Sequence, residues 1–367
     1  MELKTNSSPT NHYHQQQNSS KSSKNFSDLT VVINYACLII GSVAASLLTK
    51  FYFIHNGSSR WVSTWIQTAG FPLLLLPTFL PYHLLRSTPR PPFSGFTTRL
   101  TLQSIFVGMF LAVSNYLFSW GTSYLPVSTS SLLLSSQLAF NLVFSIAMVK
   151  QKVTFTNLNC VILLTLSSVL LALSSSGDRP PGLTRRDYLI GFFATLGAGL
   201  TFAVYLPVMQ MIYRRVYCYA MVVEMQLVTG FVATALATVG MAAGGGFADM
   251  RAESAAGFDE GTAAYWWTIG GTAVAWQMSF MGTAGMVFLT TSLTGGICMT
   301  ALMPVNVVAG VVVYGDKFGG VKAVSAVICV WGFCSHLYGM YVKSEKLEDR
   351  RRNPSGDIDM NEIVVHS

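Results

Sequence analysis

Glu224 stands in the run Val-Val-Glu-Met-Gln, within about two turns of one end of the apolar stretch Ala220–Ala243. It is the carboxylate that lies well inside an apolar stretch. Taking a carboxylate out of water makes its charged form costly, so a group placed there can take up and release a proton near neutral pH. The alternative is an interfacial carboxylate paired with Arg214 or Arg215. A second chemistry belongs to amides. Asn115, Gln137, Asn141, Gln277, Asn306 and Gln67 carry both donors and acceptors, which suits the edge of a heterocyclic base better than an ion. Tyr116, Trp120, Tyr205 and Trp276 could supply faces for stacking. Because Asn and Gln also bridge transmembrane helices, each amide is either a ligand contact or a helix contact.

These residues need helices that cross a bilayer. Val127–Val149 holds 23 residues and no charge, about 34 Å as a helix, enough to span a hydrocarbon core. Ser130, Gln137 and Asn141 fall on one face of it, while Leu133, Val143 and Ile146 point elsewhere. Nine further apolar stretches predict spans at Val31–Phe53, Trp61–His83, Thr101–Trp120, Asn159–Ser174, Tyr188–Tyr213, Ala220–Ala243, Tyr265–Phe288, Ser292–Tyr314 and Val321–Val342. The predicted fold is an all-α membrane protein of ten transmembrane helices. Residues 1–30 read as a polar, disordered tail, 175–187 as a linker and 343–367 as a charged tail.

An offset of 165 carries Asn141 onto Asn306, Val143 onto Val308 and Lys152 onto Lys317, and it superposes apolar spans upon apolar spans. This predicts two five-helix repeats, 31–174 and 188–342, a mark of secondary transporters. An odd number of helices per repeat inverts the second copy. Fifteen of the 23 Lys and Arg, among them Lys21, Arg86, Arg90, Lys152, Arg214, Arg215 and Arg350, fall in segments that share a side with the N-terminus. Both termini are therefore expected in the cytosol. Trp61, Trp65, Trp120, Trp266 and Trp267 sit where rings anchor helices at the outer interface. Gly41, Ala45 and Thr49, like Gly191, Thr195 and Gly199, recur every four residues and permit close helix approach.

Composition narrows the function. Half of the residues are hydrophobic and 11% charged, far from soluble usage. The +7 charge is scattered between apolar runs rather than gathered on a face, which argues against nucleic acid as a partner. Six cysteines lie in or beside apolar spans without ligand spacing, as packing residues would, and no metal site or cofactor is expected. No nucleotide-binding loop, zinc-protease helix or catalytic triad is present, so an enzyme is disfavoured, and His336 reads as a packed residue. Gly244–Gly246 reads as a flexible linker.

Four ordered stretches resemble the plant purine permeases, within the drug/metabolite transporter superfamily: Asn56–Pro72, Ser123–Asn141, Val223–Leu227 and Pro304–Lys317. The resemblance runs from about Val31 to Lys343. It implies a ten-helix fold of inverted repeats and proton-driven uptake of adenine-like bases, cytokinins, alkaloids or vitamin B6 compounds. The proton gradient would be the energy source, and the plasma membrane the expected location. Asn115, Tyr116, Trp120, Gln137, Asn141, Trp276, Gln277 and Asn306 are the candidate substrate residues. Glu224 is the candidate proton carrier, with Asp316 as a fallback. Another carrier of the same superfamily, such as a nucleotide-sugar exchanger, and a receptor without transport are the rivals. The first would need core lysines for phosphate, and the spans lack them.

Overall fold

The computed structural model describes residues 9–352 apart from 85, 87–88, 125–126, 174–183 and 315–318. Asp316 and Lys317 lie outside the described residues, as does the side chain of Ser130. Within the described residues the chain is helical and has no strand: α1 Pro9–Ile54, α2 Arg60–Thr68, α3 Leu75–His83, α4 Thr98–Tyr124, α5 Val127–Val149, α6 Phe155–Leu173, α7 Arg185–Tyr213, α8 Tyr219–Ala243, α9 Gly246–Ala252, α10 Gly261–Leu289, α11 Ser292–Tyr314 and α12 Gly320–Arg352. Leu29–Ile54, Thr98–Gly121, Arg185–Tyr213, Tyr219–Ala243 and Ala323–Val342 are long and apolar enough to cross a membrane, with shorter apolar helices at Gln137–Val149, Phe155–Ser167 and Ser292–Leu302. Large apolar side chains such as Phe193, Val239, Trp267, Val312 and Trp331 stay exposed on the helices. Lipid, not water, is the solvent such a surface fits.

Three boundaries differ from the hydropathy pattern. Helix α1 begins at Pro9, inside the tail expected to be disordered, because no Gly or Pro interrupts the chain between Thr10 and Ile40. At the other end α12 runs ten residues past Val342 into the charged tail. The second span, expected as one helix over Trp61–His83, is broken: α2 stops at Thr68, Phe71–Leu74 forms a 3₁₀ turn, and α3 resumes at Leu75. Pro72 has no N–H to donate and disfavours helix at the residue before it. Gly70 also lets the Ala273 carbonyl and the Gln277 side chain approach the break, which a Cβ would obstruct.

The helices gather into two compact units, each drawing on both halves of the sequence. The first comprises residues 1–112 and 212–295. Its main packing is α1 on α10. A Cβ on Gly41 would lie 2.5 Å from the Ser279 nitrogen, and one on Gly282 would lie 2.5 Å from the Leu38 nitrogen, so the two backbones meet with no side chain between them. The second unit comprises 113–211 and 296–367 and is built on α12 against α6. Ser167 and Ser325 hydrogen-bond across that pair, Oγ to Oγ at 3.1 Å. Here Thr195, on the predicted small-residue stripe, packs on Gly121.

Candidate transport site

In the second unit α4 carries Asn115, Tyr116 and Trp120 on about one and a half turns. Asn115 is 5% exposed, and its Nδ2 has no hydrogen-bond partner among the described residues. The same holds for the buried Nε1 of Trp120. Tyr116 and Trp120 form a tilted ring pair, centroids 5.5 Å apart. Trp120 also lines a groove of about 690 Å³ with Leu117, Leu189 and Phe193, where Arg185 and Arg186 supply the charges. On α5 the spacing argument holds: Asn141 is fully buried while Val143 and Ile146 are exposed. Asn141 accepts from Ser145 Oγ at 3.2 Å and rests directly on Gly296 of α11, where no other residue type leaves room. That is the geometry of a helix contact. Gln137, one turn earlier, is half-buried. On α11 Asn306 is also half-buried, and its Oδ1 is buried without a partner among the described residues.

The first unit holds Trp276, Gln277 and Glu224. Trp276 stacks on Phe280, centroids 5.5 Å apart, and Gln277 is buried against the break at Gly70. Gln67 is buried too, its Nε2 donating to Ser63 O within its own helix. Glu224 is 3% exposed. Its partner is neither Arg214 nor Arg215 but Arg90, from the loop between α3 and α4, whose Nη2 lies 3.0 Å from Glu224 Oε2. Two prolines follow Arg90 and Pro89 precedes it, which restricts the backbone that presents the guanidinium. Gln226, two residues on, is buried with Nε2 unpartnered among the described residues.

Pattern reading passed over another carboxylate. Glu253, in a π turn after α9, is 6% exposed and meets donors only: Tyr52 Oη at 2.8 Å, Tyr265 Oη at 3.1 Å, and the backbone nitrogens of Ser58 and Ser59 at 2.9 and 3.1 Å. Ser59 Oγ donates to Asp249 beside it at 2.9 Å. The segment expected to be a flexible linker is instead pinned. Gly240, Gly244 and Gly246 close around the Trp61 side chain and Trp65 Nε1 donates to Thr238 at 3.1 Å, so both rings act as internal struts. The sequence signal lies in the acidic pair Asp249 and Glu253 beyond a glycine run. Among the described residues no three His, Cys, Asp or Glu side chains come together as a metal site would require.

The profile describing purine nucleobase transmembrane transport matches residues 29–346, from the start of the first apolar span to just past the last. The chain belongs to the purine permease family. It is 59% identical over 305 residues to probable purine permease 4 of Arabidopsis thaliana, covering 83% of this chain and 80% of that one. It is 35% identical over 329 residues to purine permease 3 of the same plant, covering 88% and 93%. A solved structure described only as a protein crystal structure aligns with a TM-score of 0.55 at 13% identity over 83% of this chain and 94% of that one, a likeness of fold. The family match places Glu224, the pinned segment around Glu253 and all the candidate amides inside the shared transport region, and leaves out both polar ends.

Proposed function

We propose that this permease is a proton-coupled symporter that brings purine nucleobases and like planar heterocycles, cytokinins among them, into the cell across the plasma membrane. The observation that carries the reading is the family match over the whole membrane region, at 59% identity to a relative named a probable purine permease. The geometry agrees in kind. A purine presents donors and acceptors on a flat aromatic body, and the chain holds amide and indole groups with spare capacity at Asn115, Trp120 and Asn306, the Trp120 ring paired with that of Tyr116. Buried polar groups left without partners are costly, so a ligand that satisfies them gains that energy on binding. In this reading the chain is two inverted five-helix repeats with cytosolic termini, substrate residues come from α4, α5 and α11, and Glu224 carries the proton.

Uptake of labelled adenine into cells lacking their own purine transport tests the assignment. The expected outcome is saturable uptake, competed by zeatin and other purines and abolished by a protonophore. Competition by pyridoxine or an alkaloid with no effect of adenine would move the substrate to a different heterocycle; nucleotide-sugar exchange without adenine uptake would move it to another carrier class.

A further inference from the structure

We infer that the groove between the end of α4 and the start of α7, within the second unit, is a binding site for an anionic phospholipid, with its phosphate on Arg185 and Arg186 and an acyl chain along the apolar wall beyond them. The groove holds about 690 Å³, a size that falls among the clefts of roughly 300–1,000 Å³ that take small molecules. Its two ends differ in chemistry. Arg185 and Arg186 line one end from the first turn of α7, and the lining residues that follow them on the helix, Leu189, Ile190 and Phe193, are apolar. From Arg186 to Phe193 the wall runs about 10 Å along the helix axis. At the other end Gly121 packs on Thr195, and a Cβ on Gly197 would lie 3.5 Å from Leu117 Cδ1, so α4 closes the groove with Leu117 and Trp120.

The charged end stands where a phosphate would. The apolar span of α4 ends at Gly121 and that of α7 begins at Arg185, which puts the arginines at a membrane surface and the apolar wall inside the span. Phe193 and Leu189 are 65% and 45% exposed, side chains that fit lipid rather than water at that depth. The occupant therefore comes from the bilayer. Neither arginine has an ion-pair partner among the described residues, and no acid lines the groove. Asp187, the carboxylate nearest in sequence, accepts from Thr184 Oγ at 2.6 Å and caps its own helix. Two guanidiniums in one groove without a counter-charge repel each other and repel the choline of a zwitterionic headgroup; a headgroup of net negative charge relieves both. A guanidinium only donates, so the donors of a purine have no acceptor to meet at this end.

The test is photolabelling of the purified full-length protein in phosphatidylcholine vesicles that contain a trace of phosphatidylglycerol with a diazirine in one acyl chain, followed by mass spectrometry of the labelled peptides. Label is expected at Leu117 and over residues 189–194. Unlabelled phosphatidylglycerol should compete it away, where the phosphatidylcholine background and added glycerol phosphate do not. Arg185→Gln/Arg186→Gln is expected to weaken that competition about 25-fold, roughly fivefold for each charge near a membrane surface. Arg185→Lys/Arg186→Lys keeps the charges and the preference for phosphatidylglycerol. Leu189→Trp fills the apolar wall and leaves both arginines; it is expected to remove label from the groove while label on the exposed face of α12 stays, and it serves if the arginine variant fails to fold. Equal groove labelling by a diazirine phosphatidylcholine, or groove labelling unchanged in either the Gln pair or Leu189→Trp, means ordinary surrounding lipid and overturns the inference. Competition by glycerol phosphate assigns the arginines to a soluble anion and overturns it as well. None of these readouts requires transport, so they stand or fall separately from the purine assignment.

Discussion

Gln137 and Asn141 stand one turn apart on α5, yet they differ in burial. Asn141 is sealed against Gly296, so Asn141→Leu is expected to lower abundance in the membrane and to leave the KM of whatever protein survives unchanged. Gln137 is half-buried, and Gln137→Leu is expected to fold and to weaken adenine binding about five- to 150-fold, the loss of one buried partner at about 1–3 kcal/mol. Competition binding beside surface abundance separates the two. Glu253 makes a stability prediction. Glu253→Ala leaves two backbone nitrogens and two tyrosine hydroxyls without their acceptor, and it is expected to cost on the order of 3–5 kcal/mol, whereas Glu253→Gln keeps one acceptor oxygen and costs about 1–2 kcal/mol. Thermal unfolding of the detergent-solubilised protein ranks them. The opposite order would mean that the pinned segment contributes little to stability.

Helices α1 and α10 touch through glycine, and this close approach is the element most exposed to substitution. Gly41→Leu forces a side chain into the Ser279 and Ala275 backbone, so the variant is expected to be lost from the membrane; Ile40→Leu, on the exposed face one residue away, is expected to be silent. Quantitative blotting of membrane fractions measures both. Much of this scale was legible in advance. Uninterrupted apolar length located α4, α5, α7, α8 and α11, because a membrane imposes a length on any helix that crosses it. The four-residue spacing at Gly41 and Ala45 marked the face that α10 covers. The break at Gly70–Pro72 was masked by the hydropathy of Leu73–Leu76, since hydropathy counts composition and is blind to a missing N–H. The Arg90–Glu224 pair was not legible at all. Its partners are separated by 134 positions, and sequence proximity pointed to Arg214 and Arg215.

For the whole molecule, orientation and energy source remain the two properties that decide physiology. If the basic asymmetry sets the topology, Asn6, Asn18 and Asn25, each opening an Asn-x-Ser sequence, stay unmodified in a glycosylating cell. A glycan on any of them reverses the orientation, and a shift in mobility removed by a glycosidase reports it. The central claim is proton-driven purine import by this member of the purine permease family. Purified protein in liposomes with an alkaline interior and an acidic exterior, given labelled adenine, provides the most direct measurement. The account predicts that adenine accumulates inside above its external concentration, that a protonophore collapses the gradient, and that Glu224→Gln abolishes accumulation while adenine exchange continues. Adenine that merely equilibrates, unaffected by the pH difference, would contradict it.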